Sequence, residues 1–549
     1  MTPSPDIRSD ANPADNKQPR DAFDRLTPFG WSGGLVLILA LLAASFLLAG
    51  YFVIYWRNAD MDFVVVYSAL VLNDGKLTAF DHPAYFTILS VKLWFQLLHA
   101  LGLLDAWTLP AMPSAADVPA FAAAMTSAIR AGRVLMFLTA IAFVLVFAAL
   151  MRQLARDWRV ALLAAFAFAF SGGVAVHLRI LRSEMIAACF FTFAFMILII
   201  AARRGTLWRP LAVGGAAALC MLGLENKIHI VLLIAALPVM ILPFGTRDSG
   251  SARFWSNTSR AWLATVVALI AAVLLCIAAA PLVRAGFDPA ETAKASLRPL
   301  LLGTFGTYQI ALCVWIAAGT IVFARIWRVN LAETLTAIFA VVAGTALALL
   351  ALNLQYNIQN VITVINPVEK MLLFADQPAV SAVEKGGLLT TVWVFLTGVF
   401  SVLQRYTFVL FSSPRPTVFL TWLIFPGIVV AWLRGERQTA IQAALLMLAA
   451  IGVDSLGVRR GLKAEYFILT DPLIIIAGAI LLDRMTDLRF RAWAYPIGAA
   501  LIVAHIVLSQ AEPVKLLLKR DGPEGMCAWN QYFMPLLPMP WCDLPPKRP

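Results

Sequence analysis

The sequence predicts an all-α protein that crosses a membrane many times. Of 549 residues, 61% are apolar and only 13% charged, against about 25% charged in an average soluble domain. The mean hydropathy is +0.81. The apolar residues fall in stretches of roughly 17–25, and about 20 residues of helix cross the hydrocarbon core. Leu, Ala, Ile, Val and Phe follow one another there without strict alternation, which argues against a membrane β-barrel. A span must satisfy its own backbone hydrogen bonds, so helices are what remain.

Residues 1–30 are polar and rich in Pro, Asp and Asn, and read as a disordered cytoplasmic arm. The first span covers roughly 33–54. Its long polar leader and missing small-residue cleavage site mark an uncleaved anchor rather than a signal peptide. Further spans fall near 130–150, 160–177, 184–202, 211–225, 228–244, 261–282, 302–323, 331–353, 417–433, 439–456, 467–482 and 492–511. The expectation is about 13 transmembrane helices in one domain over 31–511, with amphipathic helices in the outer loops. No internal repeat is visible.

Short basic loops set the orientation. Arg152, Arg156 and Arg159 share one, Arg203, Arg204 and Arg209 the next, and Arg247, Arg253 and Arg260 a third. Arg325 with Arg328, Arg434 with Arg437, and Arg484, Arg489 and Arg491 continue the series. All lie on one side if the N-terminus is inside, which makes that side cytoplasmic. The first outer loop 55–128, the segment 283–300, the large outer loop 354–416 and the tail 512–549 lie opposite. Residues 388–411 are apolar enough to span, but a span there would put the basic loops outside, so they read as an interfacial or re-entrant helix. Cys527 and Cys542 share the tail, where an oxidising compartment would bridge them. Two free thiols are the alternative. The other cysteines are scattered core residues without metal spacing.

A net charge of +12 does not indicate nucleic acid here, because the basic residues are orientation signals in short loops. No Gly-x-Gly-x-x-Gly or Walker-type loop appears, which excludes the usual cytoplasmic nucleotide sites. No Cys/His/Asp set has zinc-ligand spacing. His99, His177, His229 and His505 sit at span ends or on apolar faces and read as structural.

The candidate chemistry begins directly after the first span, at Asp60-Met61-Asp62. A helix-like run follows from Val64 to Asn73, then Asp74-Gly75, then Asp81-His82-Pro83-Ala84-Tyr85-Phe86 opening an amphipathic stretch to about His99. A carboxylate at the membrane exit can act as a general base or bind a cation. It can equally be a solvated loop acid, or a helix N-terminal acid favoured by the dipole. Arg179, Arg182, Lys227, Arg459, Arg460 and Lys463 are basic residues on the outer side, against the positive-inside trend. Charges so close to the hydrocarbon core are costly and usually have a task or a partner. Clustered cations suit a lipid phosphate. Snorkelling, or ion pairs such as Arg182 with Glu184, is the plainer reading. Arg405 is a further candidate cation, and Trp393, Tyr406, Trp529, Tyr532 and Trp541 are aromatics of the outer segments able to stack on sugar.

Four patches carry a family resemblance. Asp60-x-Asp62 … Gly75 … Asp81-His82-Pro83-x-Tyr85-Phe86 resembles the first outer loop of C-type (GT-C fold) glycosyltransferases that use polyprenyl-phosphate sugars, the protein mannosyltransferase and aminoarabinose transferase group. His82-Pro83-Ala84 is one proline short of that pattern. Arg182-x-Glu184 resembles the Arg-x-Glu/Asp element at the outer start of the family's fourth span. Gly223-Leu224-Glu225-Asn226-Lys227 resembles its Gly-Leu … Thr-Lys, with Asn226 replacing Thr. Glu465-Tyr466-Phe467 … Asp471-Pro472-Leu473 resembles its Arg-Tyr … Pro motif, with Glu465 where Arg is common.

The resemblance implies an inverting glycosyltransferase of the inner (plasma) membrane with its active site facing the periplasm or exterior. One of Asp60 and Asp62 would be the general base. Arg182, Lys227, Arg459, Arg460 and Lys463 would bind the donor phosphate, supported by His82, Glu184 and Tyr466. The implied partners are a polyprenyl-phosphate sugar donor, a glycolipid, polysaccharide or protein acceptor, and membrane lipids, with no nucleic acid. No metal ligand is assigned, and a divalent cation at Asp60-x-Asp62 is left open as a cofactor. The rival reading is a transporter or flippase for a lipid-linked sugar, which would place acids and bases along a path through the spans. Broken helices would also favour it.

Overall fold

The computed structural model describes residues 30–58, 62–75, 84–203, 209–244, 259–287, 330–353, 388–407, 418–457, 464–485 and 527–542, with scattered positions in 314–324 and 497–507 and residue 524. The arm 1–29, most of the large outer loop and most of the spans expected at 302–323 and 492–511 lie outside these residues.

The chain is helical, with no strand among the described residues. In order, α1 is Gly30–Phe46, continued by a π turn Leu47–Tyr51, and α2 and α3 are Asp62–Asn73 and Tyr85–Ala100. Next come α4 (Val118–Leu154), α5 (Trp158–Ala169), α6 (Gly172–His177), α7 (Glu184–Arg203), α8 (Arg209–Asn226) and α9 (Ile230–Ile241). The remainder are α10 (Ser259–Phe287), α11 (Leu331–Asn353), α12 (Leu388–Thr407), α13 (Val418–Leu433), α14 (Arg437–Gly457), α15 (Asp471–Met485) and α16 (Cys527–Phe533).

Among the described residues, six helices are long and apolar enough to cross a membrane: Gly30–Tyr51, Val118–Leu154, Glu184–Ala202, Ser259–Pro281, Leu331–Leu352 and Arg437–Ser455. Their outward faces are apolar. On α10, Leu263, Leu274 and Ile277 are 62–66% exposed, which suits contact with lipid and not with water. This is a multi-pass membrane protein. Helix α7 lies at its centre, with 89% of its apolar window buried.

Two expected spans take a different form. The helix read at 130–150 begins at Val118, because Asp117 caps it by accepting the Ala120 amide at 3.1 Å and Pro119 suits its first turn. Its 37 residues run to ~55 Å at 1.5 Å each, longer than the ~30 Å hydrocarbon, and Arg133 and Ala131 on it hold α2 and α3. The span read at 160–177 is broken between α5 and α6. Ser171 ends one helix and caps the next by accepting the Val174 amide at 3.3 Å. The Gly173 amide, freed by the break, donates to Asp471 Oδ2 at 3.3 Å.

Helices α8 and α11 touch backbone to backbone, since a Cβ on Gly344 would lie 2.1 Å from the Gly214 carbonyl oxygen. Small residues let membrane helices approach this closely. Gly344→Val is therefore expected to force the pair apart and cost about 1–3 kcal/mol, read as a lowered melting midpoint in detergent. An unchanged midpoint would show that the pair is not packed this way.

The tail folds back on the first outer loop. Cys527 and Cys542 are joined in a disulfide. Trp541 packs on Tyr55, Phe63 and Phe121 with ring centroids 6.1–6.5 Å away, and the Tyr67 hydroxyl meets the Leu536 backbone. Tail and first loop thus pack against each other. The bridge closes a sequence separation of 15, a loop size for which chain-entropy arguments give about 3 kcal/mol. Cys527→Ser is expected to raise amide exchange across 527–542 while α7 stays protected, measured by hydrogen–deuterium exchange.

Candidate active site

Each residue of the first outer loop finds its place through burial. Helix α2 is apolar on nearly every face, and Phe63, Val65, Val66, Ala69 and Leu70 are buried on all sides. Asp62 opens that helix and is itself 0% exposed. A carboxylate taken so far from water must be paired and hydrogen-bonded. Its Oδ2 receives Arg133 Nη2 at 2.8 Å and Nε at 3.1 Å, and its Oδ1 receives the Leu181 amide at 2.7 Å. Arg133, also fully buried, donates its remaining terminal nitrogen to the Val53 and Gly50 carbonyls at 2.7 and 3.3 Å. Asp62 thereby ties the first loop to α4 and to the segment 178–183. Both of its oxygens are committed, which is the geometry of an anchor. Asp60 and His82 lie outside the described residues.

The bond to Leu181 fixes the neighbouring Arg182. Its Nη1 pairs with Glu465 Oε1 at 2.9 Å. Arg179 in the same segment is buried and donates to the Ala175 carbonyl and the Ser45 hydroxyl. Burial lowers its guanidinium to about 10, so it keeps its charge at neutral pH.

Glu184 opens α7 and is 1% exposed. Arg182 acts on Glu184 electrostatically, as their spacing suggests, and Glu184 has a second cation beside it. Glu184 Oε1 takes Lys227 Nζ at 2.8 Å. Its Oε2 stands 3.6 Å from His177 Nε2, too far for a good hydrogen bond, while His177 Nδ1 donates to the Gly173 carbonyl at 2.7 Å. The Lys227 ammonium also sits over the Tyr466 ring at 5.6 Å, and His229 packs on that ring at 5.1 Å. Asn226 sets the register of this end of α8. It accepts both the amide and the hydroxyl of Thr87 at 3.0 Å and donates to the Ser183 carbonyl at 2.8 Å.

Three motifs far apart in the chain therefore meet: Arg182 and Glu184, Asn226 and Lys227, Glu465 and Tyr466. Their approach depends on Gly173, where a Cβ would lie 2.5 Å from Ile468 Cα. Arg459, Arg460 and Lys463 lie outside the described residues. Three contributors escaped the sequence reading: Arg133, Asn226 as a hydrogen-bonding hub, and Glu465 as the Arg182 partner. Arg133 is legible as a charge at the start of an apolar run, a signal that asks for a buried partner.

In the last two turns of α8, before Lys227, Met221 and Leu224 line an almost wholly apolar cleft of about 380 Å³. It runs between α7, α8, α9 and α11, walled by Leu198, Pro238, Ile338 and Val341. Among the described residues no group of three His, Cys, Asp or Glu is placed to hold a metal ion. Tyr406, considered for sugar stacking, is instead fully buried, and its hydroxyl donates to Asp454 Oδ2 at 2.7 Å. On the opposite face of α12, Trp393 is 67% exposed.

No family model and no curated protein matches the chain. Among solved structures it is similar to the crystal structure of the Archaeoglobus fulgidus oligosaccharyltransferase in the apo form, at 14% identity and a TM-score of 0.46. The match covers 96% of this chain and 62% of that one, so the chain spans less than two thirds of the archaeal protein's length.

Proposed function

We propose that the chain is a membrane glycosyltransferase that moves a sugar from a polyprenyl-phosphate carrier to an acceptor hydroxyl on the outer side, with inversion. The observation that carries this reading is Lys227, held by Glu184 and Tyr466 directly after α8, the helix whose Met221 and Leu224 line the apolar cleft. A lipid phosphate has the same two parts, an apolar chain and a charged head. An ammonium has three N–H donors and a guanidinium five. Pairing with Glu184 and Glu465 thus holds Lys227 and Arg182 in place as preorganised cations.

The acceptor oxygen attacks the anomeric carbon as its proton passes to a carboxylate. The anomeric carbon–phosphate oxygen bond breaks, and the carrier phosphate leaves with the electron pair. Preorganised cations stabilise the charge that gathers there. We assign that role to Lys227 and Arg182, with Arg459, Arg460 and Lys463 as further candidates. Asp60 is assigned the base, because Asp62 is committed to Arg133 and Leu181 and acts as a positioning residue. His82 and Tyr466 support the site. The positive-inside reading places the site on the periplasmic or exterior face of the inner membrane, and the bridged tail beside the first loop agrees with an oxidising side.

The break between α5 and α6 is the feature that favours a transporter or flippase, since such proteins use discontinuous helices. In this chain the freed amides go to Ser171 and Asp471, so the break is filled by protein. Mass spectrometry of envelope glycolipids and glycoproteins separates the two readings. Cells with the gene, without it, and with Asp60→Asn at equal membrane expression are compared. Loss of one sugar-sized mass in the deletion and in the aspartate variant is the expected result. Loss in the deletion alone would remove Asp60 as the base and favour the flippase.

A further inference from the structure

We infer a second site at the other end of the bundle, one that binds an acidic phospholipid of the leaflet opposite the candidate active site. A cavity of about 1020 Å³ opens between the ends of α4, α7, α14 and α15. On α4 it lies near Met151, against Arg133 in the active-site half, and on α7 it lies at Ile199, against Glu184. At 1.5 Å per residue these offsets amount to ~22–27 Å, about the thickness of the hydrocarbon. The cavity is therefore distinct from the active site and on the side of the short basic loops.

Its walls and mouth differ in character. Met151, Ile199, Phe244, Ile476 and Ile480 make the inner wall apolar, and Arg156, Arg437 and Arg484 stand at the mouth. The two acids of the lining have internal tasks. Buried Asp483 accepts the Arg156 and Asp157 amides at 2.9 and 3.1 Å, which fixes the backbone from which Arg156 projects. Glu436 accepts the Thr439 hydroxyl at 3.4 Å at the start of α14. Gln438 and Gln442, one turn apart, both donate to the Pro243 carbonyl at 3.2 and 3.0 Å and hold the turn Leu242–Phe244 against the cavity. The site is thus braced by its own polar contacts.

A second observation fixes its depth. Three arginines at this end lie over tryptophan rings: Arg152 on Trp31, Arg159 on Trp158 and Arg437 on Trp432, at 5.6–5.8 Å. Tryptophan marks the headgroup level of a membrane, so the mouth lies among headgroups while the apolar wall lies among acyl chains. A basic mouth above an apolar wall between helices complements a lipid with an anionic head. A soluble anion would match the mouth alone, and a zwitterionic lipid the wall alone.

The test is native mass spectrometry of the purified full chain with dioleoylphosphatidylglycerol, dioleoylphosphatidylcholine or soluble glycerol 3-phosphate. One phosphatidylglycerol is expected to survive activation that strips phosphatidylcholine. Arg437→Gln with Arg484→Gln is expected to weaken that retention by about tenfold or more. Arg434→Gln, outside the cavity lining, keeps it. Equal retention of the two lipids by the wild type overturns the proposal, as does undiminished retention in the folded double variant. Competition by glycerol 3-phosphate overturns the lipid in favour of a free anion. Transfer activity plays no part in this readout, so the site stands or falls apart from the proposed reaction.

Discussion

Arg133→Leu is expected to yield a protein that does not survive extraction as a folded particle. The guanidinium is wholly buried and serves three acceptors: the Asp62 carboxylate and the carbonyls of Gly50 and Val53. Leucine leaves all three in the interior, with Asp62 held only by the Leu181 amide among the bonds described above. Breaking a buried pair by removing one partner costs about 3–5 kcal/mol, against total stabilities of about 5–15 kcal/mol. The double variant Asp62→Asn with Arg133→Gln removes both charges and should recover much of the loss, because the uncompensated charge is the main penalty. Melting midpoints of Asp62→Asn, Arg133→Gln and the double form the cycle that checks it. The same set tests the role given to Asp62. As an anchor, Asp62→Asn lowers the midpoint and lowers transfer in proportion to the folded fraction. If its midpoint is unchanged and transfer falls about 100-fold or more, in the range of general base catalysis, Asp62 is the base after all.

What the sequence discloses and what it hides divide along one physical line. Periodicity and hydropathy are local, so the helices at 184–202 and 331–353 are legible almost to the residue, and so are the two short helices of the first loop. Charge placement is also local, which is why Arg182, Glu184, Lys227 and Tyr466 stand out one by one. Partner choice is not local. Arg182 pairs with Glu465 and Lys227 with Glu184, because the loop after α6 turns Arg182 toward the turn Ala464–Leu469 while α7 and α8 pack side by side. The break at Ser171 is hidden for a related reason. Gly172 and Gly173 look like ordinary small residues of a span until Asp471, far along the chain, is seen to receive the Gly173 amide. Asp454, near the end of α14, likewise accepts hydrogen bonds from Tyr406 and Thr470 at 2.7 and 2.8 Å and fastens α12 to the core.

The second large effect concerns Lys227, and the variant must be chosen with Glu184 in view. Lys227→Met alone removes the direct ion-pair partner of a carboxylate that is 1% exposed, leaving it to Arg182 and to His177 at 3.6 Å. It should therefore lose stability and transfer together, a result that a purely structural ion pair would also give. Lys227→Met combined with Glu184→Gln removes both charges of the pair together. Replacing a buried pair by neutral groups of similar volume is often close to neutral for stability, so this double variant is expected to melt near the wild type. Its transfer rate is expected to fall about 100- to 1,000-fold, the scale seen when one preorganised donor is lost from a developing charge. The comparison separates holding the fold from holding the phosphate. A double variant that melts normally and transfers normally would leave Lys227 as a partner of Glu184 and nothing more, and the donor phosphate would then have to sit against other cations. One that melts normally and transfers poorly would place the charge of Lys227 in the reaction, because the fold would no longer account for the loss.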